Sequence, residues 1–96
     1  MQLFVFARFH AIEGKEVELE ATLLAEISQT CIEPGCDDIR VYRSTRDARL
    51  YFIHARWADD ETFQVHARLP HVRRFAEHVA TLIEHSIDVQ ATRAVT

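Results

Sequence analysis

The chain begins with a stretch in which side chains alternate between two faces, as they do along a β-strand. One face carries Leu3, Val5, Ala7 and Phe9. A period of two residues with aromatic and branched side chains predicts a strand over residues 3–9. Because Phe4 and Phe6 make the second face apolar as well, we expect both faces to be covered near the start of this strand.

A helical pattern follows the turn at Glu13-Gly14. Between residues 15 and 30, apolar positions recur at spacings of three and four and form one stripe: Val17, Ala21, Leu24, Ile27 and Cys31. This spacing predicts an amphipathic helix whose stripe faces the core, with Glu26 off the stripe. The Pro34-Gly35 pair ends the helical region, because neither residue favours helix continuation.

Two further strands, joined by a hairpin loop, are predicted next. Ile39 and Val41 alternate with polar residues in the first of them. Residues 50–57 are rich in Tyr, Phe, Ile and Trp, which favour strands. Thr45-Arg46-Asp47-Ala48 is predicted to form the hairpin loop.

The remaining residues predict two consecutive helices and a last strand. Asp59 is a good N-cap, and acidic residues in the next turn complement the helix dipole, so a short helix is expected to run to about Arg68. Pro70 suits the first turn of a second helix. The apolar face of that helix contains Val72, Phe75, Ala76, Val79, Leu82 and Ile83. Alternation over residues 87–91 predicts the last strand.

The predicted order of elements is β-α-β-β-α-β with a broken second helix. This order indicates an α+β fold, the ferredoxin-like βαββαβ arrangement with one antiparallel sheet and helices on one face. The helices cannot cover the other face, although the strands are apolar or aromatic on both faces. We therefore expect two protomers to pack sheet to sheet as a homodimer, with a cavity between each sheet and its helices.

Composition and charge narrow the function classes. A chain of 96 residues suits one domain, residues 1–96, and a net charge of −4 without a clustered basic face argues against nucleic-acid binding. We find no leader pattern and no apolar run long enough for a membrane helix, so a cytoplasmic protein is expected. The spacing of Cys31 and Cys36 matches no zinc motif, and both are expected to be reduced thiols.

The strongest chemical candidates are His66 and His71, which follow Trp57 closely. Histidine titrates near neutral pH and can therefore take or give a proton in catalysis. The alternative is that each ring only bonds a backbone carbonyl or water where the helix is interrupted. Trp57 itself suits the core or a dimer contact, and Glu33 suits a turn or a dimer contact.

Several segments together resemble the antibiotic biosynthesis monooxygenase family, which includes quinol monooxygenases. They are Glu33-Pro34-Gly35-Cys36, Val41-Tyr42-Arg43, the aromatic strand that ends at Trp57, Phe63-Gln64-Val65-His66 and Leu69-Pro70-His71. The resemblance covers essentially the whole chain. It implies a dimeric α+β barrel with one pocket per protomer, and some members oxygenate phenolic or quinol substrates without flavin, haem or metal.

The resemblance implies a cofactor-independent monooxygenase whose partners are a small aromatic substrate and O2. His66 or His71 would be the catalytic base. Trp57, Phe63 and Phe75 would stack on the substrate, and Arg8 or Arg40, if directed inward, would stabilise its anion. No cofactor and no metal site are expected, since His71, His78 and His85 are spaced by seven and ligand pairs on one helix usually need three or four.

Two departures and two alternatives stay open. Members often carry an acidic residue two positions before the tryptophan, where this chain has Ala55. The positions that resemble the haem-degrading branch carry Ala7, His66 and Ala76, which argues against haem degradation. The same histidines would serve an isomerase or degrading enzyme for a small hydroxy-carbonyl compound. A non-catalytic dimeric ligand-binding protein would retain the pocket alone.

Overall fold

In the computed structural model, which describes residues 1–96, four strands and three helices form one sheet with a helical layer. The elements are β1 (Leu3–His10), α1 (Glu16–Thr30), β2 (Cys36–Arg43), β3 (Leu50–Trp57), α2 (Asp60–Ala67), α3 (Pro70–Val79) and β4 (Asp88–Thr92). Every predicted element is present. The second strand begins earlier than Ile39, and α3 ends before Ile83, which instead forms an isolated bridge with Ala11.

The sheet has the strand order β2-β3-β1-β4, and every neighbouring pair is antiparallel. Ala55 in the centre of β3 pairs with Val5 of β1 and with Ile39 of β2. This order and direction confirm the α+β, ferredoxin-like βαββαβ fold.

The helices pack on one face of the sheet and enclose the core there. Along β3, alternate residues are buried under the helices: Tyr51, Ile53, Ala55 and Trp57. Phe9 and Leu19 are also fully buried, and each contributes about 1.5–3 kcal/mol of hydrophobic free energy. On the opposite face Phe6 and Tyr42 remain 48% exposed, so a single protomer leaves that face uncovered.

The predicted apolar stripe of α1 was wrong. Val17 is 84% exposed, and the buried side of α1 is instead formed by Leu19, Leu23, Glu26 and Thr30. These residues also recur at spacings of three and four, but two of them are polar. Their polarity concealed the buried face, because a pattern of apolar residues alone assigns Glu26 to solvent.

The helix ends follow the predicted local chemistry. The Asp59 side chain caps α2 by accepting the Thr62 backbone N–H at 2.8 Å, and Pro70 occupies the first turn of α3. The turn before β2 uses Gly35 at a φ of +88°, a value that favours glycine. None of the helices is long and apolar enough to cross a membrane.

Candidate functional site

The carboxylate of Glu33 joins the two candidate histidines. Its Oε1 lies 2.8 Å from Nδ1 of His66, and its Oε2 lies 2.7 Å from Nε2 of His71. The three side chains are only 12–16% exposed. Hydrogen bonds to a carboxylate in such shielded surroundings fix the orientation of both rings.

Three chain segments meet at this cluster because of local breaks in the helices. Glu33 lies in the turn after α1, where its N–H donates to the Thr30 carbonyl at 3.0 Å and its carbonyl accepts the Cys36 N–H at 3.1 Å. His66 lies at the end of α2, and His71 follows Pro70 at the start of α3. A continuous helix would have carried the two histidines to different faces, whereas the break lets both rings face Glu33.

A second carboxylate, Glu26 of α1, holds the other side of His71. Its Oε1 lies 3.2 Å from Nδ1 of that ring. Burial raises the pKa of Glu26 above its usual value, although the His71 hydrogen bond opposes this effect. Burial lowers the pKa of His71, but its hydrogen bonds with Glu26 and Glu33 outweigh burial and raise that pKa. The two carboxylates therefore favour the protonated form of the His71 ring.

His66 lies among aromatic rings and has one nitrogen free to accept a proton. Its ring packs on Trp57 with centroids 4.7 Å apart and on Phe63 with centroids 6.0 Å apart. Glu33 accepts the Nδ1 proton, which leaves Nε2 without a protein partner and able to accept a proton. A histidine oriented by a carboxylate in this way is suited to general-base chemistry.

An apolar cavity of about 240 Å³ lies between the sheet and the helices, as predicted. Most of its lining is apolar, and Trp57, Phe63 and Phe75 contribute aromatic surface. The polar residues in the lining are His66, Glu26 and Thr30. The Thr30 hydroxyl is buried and has no hydrogen-bond partner in the protein. The cavity can therefore hold a small, mostly apolar molecule.

The predicted site residues divide into two groups. His66, Trp57, Phe63 and Phe75 line the cavity, and so does Ala55, where many relatives are expected to carry an acidic residue. His71 does not line it but contacts Glu33 behind His66.

Arg8 and Arg40 lie on the uncovered face of the sheet. Arg8 pairs in register with Phe52, and the Arg40 guanidinium donates to Asp38 at 3.2 Å. Both are exposed and neither lines the cavity.

Sequence reasoning missed the two carboxylates of the site. Glu33 was expected to be a turn or dimer residue, and it lies in a turn, but its carboxylate is directed at the histidines. Glu26 was expected to face solvent, and it is 6% exposed. Glu26 comes three residues after Leu23 and four before Thr30. This helical spacing is a weak signal that Glu26 belongs to the buried face.

Cys36 is half-buried at the start of β2, next to this turn. Burial, and then the negative charge of Glu33, raise the pKa of its thiol to about 11. The thiol therefore stays protonated at neutral pH and is a poor nucleophile.

Comparison with solved structures finds the same fold in many proteins. Rv0793 from Mycobacterium tuberculosis superposes with a TM-score of 0.92 at 23% identity, covering 100% of this chain and 97% of that chain. SO0527 from Shewanella oneidensis gives 0.88 at 26% identity, covering 95% and 88%. A mutant of SnoaB, a cofactor-independent oxygenase from Streptomyces nogalater, gives 0.88 at 17% identity, covering 99% and 94%.

Sequence comparison gives the family. No curated protein matches the chain. The sequence model of the family described as antibiotic biosynthesis monooxygenase matches residues 2–87, which is nearly the whole chain. This chain therefore belongs to the antibiotic biosynthesis monooxygenase family.

Proposed function

We propose that this protein is a cofactor-independent monooxygenase that acts on a small aromatic or quinol substrate with O2. The observation that carries the proposal is the pairing of His66 with Glu33 at the wall of an apolar, aromatic cavity. The likeness to SnoaB, a cofactor-independent oxygenase, agrees with this reaction class.

His66 is the proposed catalytic base. A phenolic hydroxyl in the cavity gives its proton to Nε2, and the Glu33 carboxylate stabilises the imidazolium that forms. Trp57 and Phe63 hold the substrate ring by stacking. His71 serves as a positioning residue, because both of its nitrogens are already bonded to carboxylates and neither can accept the substrate proton.

The reaction balances without an external reductant. Loss of the proton makes an electron-rich phenolate that can transfer an electron to O2, and recombination forms a carbon–oxygen bond. For a hydroquinone with one unsubstituted ring position, one oxygen atom enters the ring and the other leaves as water. The product is a hydroxyquinone, and the substrate supplies all four electrons that reduce O2. The apolar cavity excludes the water that would protonate the anion again.

The hydroxyl of Thr30 suits a polar atom of such a substrate. It lines the cavity, it is buried, and it has no hydrogen-bond partner in the protein. This hydroxyl can donate a hydrogen bond, and it takes over the stabilisation of the substrate oxygen that was expected from Arg8 or Arg40. We further propose that the active form is a cytoplasmic homodimer joined through the uncovered sheet face.

An oxygen electrode tests the proposal directly. Chelator-treated protein should consume O2 in a 1:1 ratio with one member of a panel of small hydroquinones and phenols. His66→Ala should lower the rate at least about 100-fold, because general-base catalysis contributes about 10²–10⁴-fold. His78→Ala is the matched control, since it removes an exposed histidine of α3 that pairs only with Glu18.

The same assay separates the alternatives. Turnover of a hydroxy-carbonyl compound that proceeds equally well without O2 would establish an isomerase or degrading enzyme. Ligand binding without turnover in either atmosphere would establish a non-catalytic binding protein. An unchanged rate in His66→Ala would remove the proposed base.

A further inference from the structure

Donor atoms from three separate segments converge on one point of the fold. One nitrogen of His66, one nitrogen of His71 and a Glu33 carboxylate oxygen all lie within 4.8 Å of one another. The nitrogens that contact Glu33 are Nδ1 of His66 and Nε2 of His71. We propose that Glu33, His66 and His71 form a binding site for a divalent transition-metal ion of the Zn²⁺ class. Two imidazoles and one carboxylate, with an open fourth position, are a common ligand set for such ions.

The donor atoms lie within 4.8 Å of one another, so side-chain adjustment is needed to reach the spacing of a bound metal. With metal–ligand bonds of about 2.0–2.2 Å, neighbouring donor atoms in a tetrahedral site are about 3.3–3.6 Å apart. Here the two hydrogen bonds of Glu33 are 2.7 and 2.8 Å long. A bound metal would replace the protons that these two ring nitrogens donate to Glu33. The proton leaving His71 goes to solvent and that of His66 moves to its other nitrogen, so metal binding should weaken as the pH falls.

The surroundings of His71 provide the outer support that metal-binding histidines usually have. Its Nδ1 bonds to Glu26 at 3.2 Å, which directs Nε2 toward the proposed metal position. A carboxylate behind a histidine ligand fixes the ring and strengthens metal binding. Glu26 and Glu33 together carry two negative charges, which balance the charge of a divalent ion.

His10 shows that a histidine between two carboxylates is not sufficient for such a site. Its Nδ1 bonds to Glu84 at 3.0 Å and its Nε2 to Asp47 at 2.9 Å. These carboxylates lie on opposite sides of the ring, so their oxygens diverge. At Glu33, by contrast, two rings share one carboxylate and their nitrogens converge. His10 therefore gives a matched control.

Metal binding would have a consequence for the proposed base. His66 lines the cavity, and a metal on its Nδ1 leaves the ring proton on Nε2. The ring could then no longer accept a proton from a substrate. This consequence rests on the proposed function, whereas the binding site does not.

The expectation of no metal site came from spacing along one helix. The proposed ligands lie instead in a turn, at the end of α2 and at the start of α3. Only the fold brings these three segments together, so spacing along a single helix could not reveal the site.

Titration with Co²⁺ and Zn²⁺ tests the site. Chelator-treated full-length protein should bind one Co²⁺ per chain and develop visible d–d bands without the near-ultraviolet band of a thiolate ligand. Glu33→Gln and His71→Ala should abolish the bands, and Glu26→Gln should weaken Zn²⁺ binding in calorimetry by about 10–100-fold. His10→Ala should bind Co²⁺ as the wild type does. Circular dichroism checks that each variant is folded.

The outcomes separate the site from the function. Absence of a Co²⁺ spectrum in the wild type, its persistence in Glu33→Gln, or its loss in His10→Ala would overturn the site. Saturating Zn²⁺ should abolish O2 consumption, and excess chelator should restore it. A protein that binds Co²⁺ as expected but never consumes O2 would retain the site and lose the proposed function. Oxygenase activity without Co²⁺ binding would support the proposed function and overturn the metal site.

Discussion

His10 and His71 each lie between two carboxylates, but the two sites differ in their exposure to solvent. His71 is held between carboxylates whose side chains are 8% and 12% exposed, whereas the partners of His10, Asp47 and Glu84, are 44% and 37% exposed. Solvent weakens each interaction at His10, so these contacts hold the ring less firmly. Their main effect is on how the stability of the protein depends on pH. At His71 the shielded hydrogen bonds hold the ring that positions Glu33.

Replacement of His10 with alanine should flatten the loss of stability in acid. The Arg49 backbone N–H and then His10 lower the pKa of Asp47, while His10 and then Arg49 lower that of Glu84. Carboxylates with depressed pKa values stabilise the folded state above their ordinary values, 3.8 and 4.5, and lose this contribution as pH falls through the folded-state pKa.

Urea midpoints measured from pH 7 to about pH 3 check this. The wild type should lose stability below about pH 4.5, and His10→Ala should lose less over the same interval. His78→Ala, which leaves the cluster intact, should follow the wild type. A wild-type slope in His10→Ala would contradict the assignment.

Cys36 should react far more slowly than an ordinary thiol. A rise in its pKa from 9.0 to about 11 leaves about 100-fold less thiolate at neutral pH, and only the thiolate attacks a disulfide reagent. Cys31→Ser isolates Cys36, and Cys36→Ser isolates the exposed Cys31. Stopped-flow rates with an aromatic disulfide should show Cys31 as the fast site. Equal rates would mean that the Glu33 turn opens readily.

At the scale of elements, the turn after α1 packs closely against the start of α2 at Gly35. Its carbonyl accepts the Ala58 N–H at 2.8 Å, which ties the turn to the end of β3. A Cβ on Gly35 would collide with the side chain of Thr62 in α2. This contact sets the distance between the segments that carry Glu33 and His66.

Gly35→Ala should destabilise the protein more than Gly14→Ala. Both glycines have φ values near +90°, so each substitution costs about 1–2 kcal/mol of backbone strain. At Gly35 the collision with Thr62 adds about 1–3 kcal/mol, whereas nothing lies near a Cβ on Gly14. Chemical denaturation measures both differences. Thr62→Gly removes the Cβ and both γ atoms that the new side chain would meet. In a double-mutant cycle, Gly35→Ala should cost less in the Thr62→Gly background than in the wild type, and an equal cost would show that the collision is not the cause.

Element by element, sequence patterns predicted all four strands and all three helices, because strand alternation, Asp59 and Pro70 act locally. The buried face of α1 could not be found in this way. Glu26 is buried only because His71, 45 residues later, supplies a hydrogen bond. A polar residue on a core face is explained by its partner, and the partner is not visible in the local pattern.

At the scale of the whole molecule, the site joins residues that are far apart in sequence. His66 and His71 could be proposed from their chemistry and from a family resemblance. The partnership with Glu33 could not, since it depends on how the turn after α1 meets the break between α2 and α3. The outward direction of Arg8 likewise depends on strand register, in which a shift of one residue exchanges the two faces.

The uncovered sheet face also belongs to the whole molecule. Phe6 and Tyr42 are each 48% exposed there, and the ring of His54 packs on Phe6 with centroids 4.7 Å apart. The face spans all four strands of the sheet, and exposed apolar faces commonly serve as association surfaces. We therefore expect a homodimer in which the two sheets pack face to face.

Phe6→Glu should separate that dimer into monomers. The substitution places a charge at the centre of the proposed contact, where its desolvation opposes association.

Light scattering after size exclusion should give twice the chain mass of 11.1 kDa for the wild type and the single mass for the variant. Val17→Glu adds the same charge to an 84% exposed position of α1 and should remain dimeric. A monomeric wild type, or a Phe6→Glu variant that remains dimeric, would mean that this face is not the interface. The cavity lies on the other side of the sheet, between sheet and helices, so a folded monomer of Phe6→Glu should keep its aromatic lining and its Glu33–His66 pair.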